Sequence, residues 1–152
     1  MSILANCEGL SPYDSLLLLD DEKCITNIVG TLFFEKFEFE EMKVYLEEKT
    51  KDLNKCRSKL VKRFGIWWFQ RMSSEEWDTK RHDVFTKVEG IHTPDELNKF
   101  MCKEEKTRDS FDNVQFHYFL LPDWSETESA IILKTHHVFT DGLGYATIFL
   151  AM

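Results

Sequence analysis

The chain lacks paired cysteines, a basic excess and any apolar run long enough to cross a bilayer. Its four cysteines, Cys7, Cys24, Cys56 and Cys102, stand singly. With no C-x-x-C pair, neither a zinc site nor a disulfide framework is indicated, and reduced thiols in a cytosolic compartment are expected. Proline occurs 3 times and glycine 6 times. No linker, repeat or low-complexity tract interrupts the sequence, so one structural unit is expected over 1–152. The longest apolar runs, at 16–19 and 66–69, are far shorter than a membrane span. No charged segment followed by an apolar one opens the chain, so no secretory signal is read, and the expected location is cytoplasmic or peripheral at a membrane. Lys and Arg number 19 against 27 Asp and Glu, for a net charge of -8. That balance argues against a nucleic-acid partner, whose binding needs a basic face to displace counterions.

What is present is the material of a globular core. The chain is 43% hydrophobic and 30% charged, and carries 13 Phe and 4 Trp, enough to fill a thick core or line a large apolar cavity. Residues 49–63 form a local basic stretch in which Lys49, Lys51, Lys55, Arg57, Lys59, Lys62 and Arg63 face only Asp52. It reads first as a solvated helix face, with a cofactor phosphate or membrane headgroups as the other uses. Residues 26–35 are β-branched and aromatic and predict a strand. Phe39, Met42, Leu46 and Leu53 recur at helical spacing and predict a helix over 38–53. Residues 60–72 are ambiguous, with the aromatic run at 67–69 assigned to a strand, and 83–88 is a short strand candidate. Thr93-Pro94-Asp95-Glu96 is a helix start with a capping residue, a proline at the first turn and a reciprocal glutamate. Residues 114–121 and 129–135 predict two strands joined by a polar turn, a hairpin. A second amphipathic element is expected from near Gly144 to Met152. Helices and strands mix irregularly, which points to an α/β (α+β) sandwich with a mixed sheet and flanking helices.

The chemistry concentrates after the last strand, in Thr135-His136-His137-Val138-Phe139-Thr140-Asp141-Gly142. Strand ends that meet loops are where rigid scaffolds present reactive groups. A neutral imidazole can take a proton from an alcohol or amine and return one to a leaving thiolate. Asp141 either orients His137 directly or braces the loop through an arginine or backbone amides, and the tight spacing favours bracing. Gly142 is expected to allow a tight turn close to a ligand. A metal site built from His136, His137 and Asp141 is disfavoured, because adjacent histidines at a strand end point to opposite faces. His82, His92 and His117 have no metal spacing and read as ordinary histidines. No metal is expected.

His136-His137-Val138-Phe139-Thr140-Asp141-Gly142 resembles the H-H-x-x-x-D-G signature of the wax ester synthase/diacylglycerol acyltransferases. These are relatives of chloramphenicol and carnitine acyltransferases and of peptide-synthetase condensation domains. Leu10-Ser11-Pro12-Tyr13-Asp14-Ser15-Leu16-Leu17 resembles the segment that opens that family, Ile28–Phe34 its first strand, and Arg57 its f-R-x-r-l segment. Two departures stand out: Asn113-Val114-Gln115-Phe116-His117 replaces the usual P-L-W triplet, and Asn54-Lys55-Cys56 replaces a proline before Arg57. The resemblance implies a chloramphenicol-acetyltransferase-like lobe in which His137 is the general base, His136 a positioning residue and Asp141 a brace. It implies acyl-CoA as co-substrate with no bound cofactor, and a long-chain alcohol or diacylglycerol as acceptor. It further implies peripheral membrane or lipid-droplet contact as an option, and a second lobe that this chain, read as the N-terminal one, would need. A condensation-type acyltransferase, or a non-catalytic lobe that binds acyl chains or a partner, are the alternatives.

Overall fold

The computed structural model describes residues 6–19 and 25–150. In chain order the elements are β1 (Cys7–Gly9), α1 (Pro12–Leu17), β2 (Asn27–Glu35), α2 (Phe39–Thr50), β3 (Ser58–Arg63) and β4 (Ile66–Arg71). They continue with α3 (Ser74–Val84), β5 (Phe85–Lys87), α4 (Pro94–Glu105), β6 (Phe116–Leu121), β7 (Glu128–His136) and α5 (Gly142–Leu150). A four-stranded sheet has the order β2-β7-β6-β5, and a three-stranded one the order β1-β4-β3. In the larger sheet β5 runs parallel to β6 while the other pairs are antiparallel. The fold is therefore α+β with a mixed sheet and flanking helices.

The strand β7 organises the core. Every residue from Ser129 to His136 is buried, and at its centre Ala130-Ile131-Ile132-Leu133 is one apolar run rather than an alternating one. Ile131 and Leu133 turn to a cluster with Leu46, Trp77, Phe116, Tyr118 and Tyr145. Ala130 and Ile132 turn to the opposite face, where Leu97 of α4 packs with Phe119 and Leu121. Burying both faces of a central strand removes most water from the sheet and fixes its register, since a one-residue slip would exchange the faces.

The expected strands at 26–35 and 129–135 become β2 and β7, paired from Asn27↔His136 to Glu35↔Glu128. The helix expected over 38–53 ends at Thr50, and a 3-10 turn, Asn54–Arg57, follows. The basic stretch at 49–63 is therefore not one helix face: it crosses the end of α2, that turn and β3. The ambiguous segment at 60–72 is resolved as the β3–β4 hairpin, closed by Phe64-Gly65. Both α3 and α4 begin with a full capping box, Ser73 with Glu76 and Thr93 with Glu96. The α3 helix was not expected, because it is mostly polar and buries only Trp77 and Val84.

Candidate functional site

The chain leaves β7 in a turn built around the two histidines. The His136 N–H donates to Gln115 O at 3.0 Å, the His137 N–H to Thr26 O at 2.7 Å, and the Phe139 N–H to His136 O at 2.9 Å. The His136 ring is buried, and its Nδ1 accepts the Val138 N–H at 3.1 Å. That ring therefore holds the turn from inside. His137 instead lines an open recess of about 330 Å³ together with Tyr13 and Asp14 of α1, Lys55, Thr140 and Asp141. Its Nδ1 is buried without a hydrogen-bond partner. The two rings thus have separate surroundings. Among the described residues no cluster of three or more His, Cys, Asp or Glu side chains is arranged to hold a metal ion.

Asp141 caps α5. Its Oδ1 accepts the Gly144 N–H at 2.7 Å, and its backbone carbonyl accepts the Tyr145 N–H at 2.8 Å. A carboxylate at a helix N-terminus satisfies an otherwise orphaned amide and meets the positive end of the helix dipole. Gly144 makes this cap possible, since a Cβ there would lie 2.0 Å from Thr140 Oγ1 and 3.2 Å from Asp141 Oδ1. The expectation attached to Gly142 moves accordingly. Gly142 has open space around its missing side chain and no positive φ, so the crowded glycine is Gly144.

The α5 helix is tied back to the sheet by Tyr145, whose hydroxyl donates to Leu133 O at 2.8 Å. Burial pushes the phenol above its ordinary pKa, so it stays a neutral donor. The hydroxyl fits because β2 carries Gly30 opposite it, where a Cβ would approach to 2.7 Å. One chain of contacts therefore runs from β7 through Tyr145 and α5 to Asp141 and the loop bearing His137.

Lys55, read from sequence only as part of a basic stretch, reaches this loop. Its Nζ donates to Phe139 O at 3.3 Å and lies 5.0 Å from the centre of the Phe69 ring. Lys55 and Phe139 also border a second, more apolar recess of about 410 Å³ with Leu53, Cys56, Thr140 and Ile148. Burial pushes the Cys56 thiol up to about 12, so it is a packing group rather than a nucleophile.

A buried ionic cluster lies outside the recess. Lys134 of β7 is 1% exposed and places Nζ 3.0 Å from Asp109 Oδ2 and 3.5 Å from Glu104 Oε2. His117 Nε2 approaches Asp109 Oδ1 at 3.4 Å, too poorly aligned to count as a hydrogen bond. Burial alone would raise the Asp109 pKa, but His117 and Lys134 outweigh it and hold the carboxyl below its ordinary value. The sequence signal for this cluster was a lysine directly after the apolar run Ala130–Leu133 of a strand.

No family model matches the chain, and no curated protein matches it at the sequence level. Solved structures do. The wax ester synthase/diacylglycerol acyltransferase from Marinobacter aquaeolei VT8 aligns with TM-score 0.72 and 21% identity, covering 92% of this chain and 37% of that one. The starter condensation domain of rhizomide synthetase RzmA, in a mutant form in complex with C8-CoA, aligns with TM-score 0.73 and 13% identity over 97% of this chain and 34% of that one. The tallysomycin biosynthesis protein TlmII aligns with TM-score 0.72 and 10% identity, covering 93% and 36%. The chain thus spans about a third of the length of each. Among the described residues no helix is long and apolar enough to cross a membrane. At these identities the likeness establishes the fold alone: this chain shares the fold of about a third of the wax ester synthase/diacylglycerol acyltransferase and of the starter condensation domain.

Proposed function

We propose that this chain is the catalytic-histidine lobe of an acyl-CoA-dependent O-acyltransferase, with a long-chain alcohol or diacylglycerol as acceptor. The observation that carries this reading is the separation of the two histidines: His136 is locked into the turn, while His137 lines the open recess. With Nδ1 buried, Nε2 is the His137 nitrogen that a substrate in the recess would meet. In the proposed reaction that nitrogen takes the acceptor hydroxyl proton as the oxygen attacks the thioester carbonyl. The carbon–sulfur bond then breaks, and the leaving thiolate takes the proton from the imidazolium. His136 positions the loop and Asp141 braces it. The apolar recess beside Phe139 suits an aliphatic chain.

A condensation-type reaction is the second reading, because the condensation domains align with TM-scores as high as that of the wax ester synthase. In it an amine replaces the hydroxyl and the same histidine serves. The two are separated by incubating a protein containing this lobe and a second lobe with an acyl-CoA and either a long-chain alcohol, diacylglycerol or an aliphatic amine. Free thiol release and product are followed. Ester formed only with the alcohol or diacylglycerol, and abolished by His137→Ala, supports the first reading. Amide as the main product supports the second.

A further inference from the structure

Lys55 stands where the two recesses meet. With Phe139 and Thr140 it lines the recess that holds His137, and also the apolar recess that holds Leu53 and Ile148. Its ammonium donates to Phe139 O at 3.3 Å and lies 5.0 Å from the centre of the Phe69 ring. Among the described residues it makes no ion pair. An ammonium carries three N–H donors, and the Phe139 carbonyl takes one. Two remain for a group in the recesses.

That setting differs from the other lysines of this acidic chain. Lys36, Lys59, Lys87 and Lys134 all have carboxylate partners. Asp14 and Asp141 border the His137 recess and Glu8 the apolar one, yet none is paired with Lys55, and Asp141 Oδ1 is taken up by the Gly144 N–H. The lysine is also held firmly. It belongs to the 3-10 turn Asn54–Arg57, which is pinned by the buried Cys56 and by the Ser58 hydroxyl donating to Asn54 O at 2.7 Å. The stretch Asn54-Lys55-Cys56 is one in which this chain departs from the family it resembles, so the resemblance assigns the lysine no role.

We propose that Lys55 receives the acyl carbonyl oxygen at the seam of the two recesses, with the aliphatic tail in the apolar recess and the reacting carbon toward His137. This rests on the acyl-transfer reading above. As the acceptor oxygen attacks, the π pair of the carbonyl moves onto its oxygen. The ammonium donates hydrogen bonds to that oxyanion and keeps its own protons. When the carbon–sulfur bond breaks, the pair returns and the carbonyl re-forms. A fixed cation aimed at charge that develops only during the reaction stabilises the transition state more than the bound substrate.

A carboxylate is a stable stand-in for that oxyanion. The test is NMR titration of the 152-residue protein with octanoate, octan-1-ol and octylammonium, which share a tail and differ in the charge of the head. Octanoate should bind most tightly and shift the Phe139 amide, and octylammonium should bind most weakly. Lys55→Met keeps an aliphatic stem against Phe69 and should cost octanoate about tenfold in affinity, with octan-1-ol changed by less than about twofold. Lys55→Arg should retain the preference for octanoate. No binding of octanoate by the parent would overturn the assignment, as would an unchanged octanoate affinity in Lys55→Met. Tighter binding of octylammonium would also overturn it, since Glu8, Asp14 and Asp141 would then set the charge of the site. The three-probe comparison on the parent decides the matter even where Lys55→Met fails to fold. In a protein that carries the second lobe, Lys55→Met should lower kcat by about 10²–10³-fold with KM for acyl-CoA little changed. Full activity of Lys55→Met beside loss of activity in His137→Ala would overturn the role of Lys55 and keep acyl transfer. A two-lobed protein that forms neither ester nor amide, yet binds octanoate through Lys55, would overturn acyl transfer and keep the anion site.

Discussion

Asp141 Oδ1 accepts the Gly144 amide N–H, and that one bond decides how substitutions in the loop should behave. Asp141→Ala removes the cap and should lower unfolding free energy by about 1 kcal/mol, whereas Asp141→Asn keeps a capping oxygen and should stay within a few tenths. Denaturant titration of both variants measures this. A triad-like role would look different: an Asn variant of normal stability whose rate falls about 10⁴-fold in a protein that carries the second lobe. The two glycines of the loop should diverge in the same experiment. Gly144→Ala drives a methyl group toward Thr140 Oγ1, 2.0 Å from the built Cβ, and should destabilise by about 1–3 kcal/mol. Gly142→Ala meets nothing and should be neutral, or stabilising by about 0.5 kcal/mol, because it restricts the unfolded chain. A reversed order of the two would refute the assignment of Gly144 as the crowded position.

At the scale of elements, β7 carries both the core and the buried Lys134, so its ionic cluster couples fold stability to pH. A carboxyl whose folded pKa lies below its unfolded value stabilises the fold above the ordinary Asp range. That contribution is lost as pH falls through this range toward the depressed folded value. Asp109 is such a group, so stability should decline on acidification below about pH 5. Asp109→Asn should flatten that decline and lower stability at neutral pH by about 2–4 kcal/mol, short of the largest losses seen for broken buried pairs because Glu104 still faces Lys134. A neutral-pH midpoint unchanged by Asp109→Asn would show that the cluster is not coupled to folding. The same elements explain what the sequence disclosed. The strands β2 and β7 were legible because long β-branched and apolar runs admit few other readings, and α4 because its capping box precedes an apolar face. The α3 helix has an equally complete box, but only Trp77 and Val84 follow it into the core, so no periodic signal marked it. The β3–β4 hairpin was hidden by its turn, where Phe64 stands in place of the Asn or Asp that announces a two-residue connection. His136, His137 and Asp141 were legible as one contiguous stretch. Lys55 was not, since it meets Phe139 from 84 positions away, and such a pairing is settled by topology alone.

At the scale of the whole molecule, the arrangement of the recess leads to a prediction about how much of a protein the reaction needs. In the proposed acyl transfer this chain supplies one wall of the site: His137 on the turn after β7, Tyr13 and Asp14 on α1, and Lys55, which lines both recesses. General-base catalysis requires imidazole, hydroxyl and thioester within hydrogen-bond reach of one another. Holding two substrates in that geometry is worth roughly 7–11 kcal/mol in favourable cases, which is most of the acceleration such a site could provide. On that proposal, a lobe that presents the base against open solvent would supply the proton acceptor without the confinement, and water would reach the thioester as readily as the alcohol does. The 152-residue protein alone should therefore form ester at a negligible rate from acyl-CoA and a long-chain alcohol. A protein joining it to a second lobe should be active and should lose about 10²–10⁴-fold on His137→Ala, the usual range for a removed general base. Product chromatography and free-thiol release measure both. Ester formation by the single lobe at a rate like that of the two-lobed protein would show that one wall is enough. Full activity after His137→Ala would place the proton transfer elsewhere, with Lys55 the first group to test because it borders both recesses.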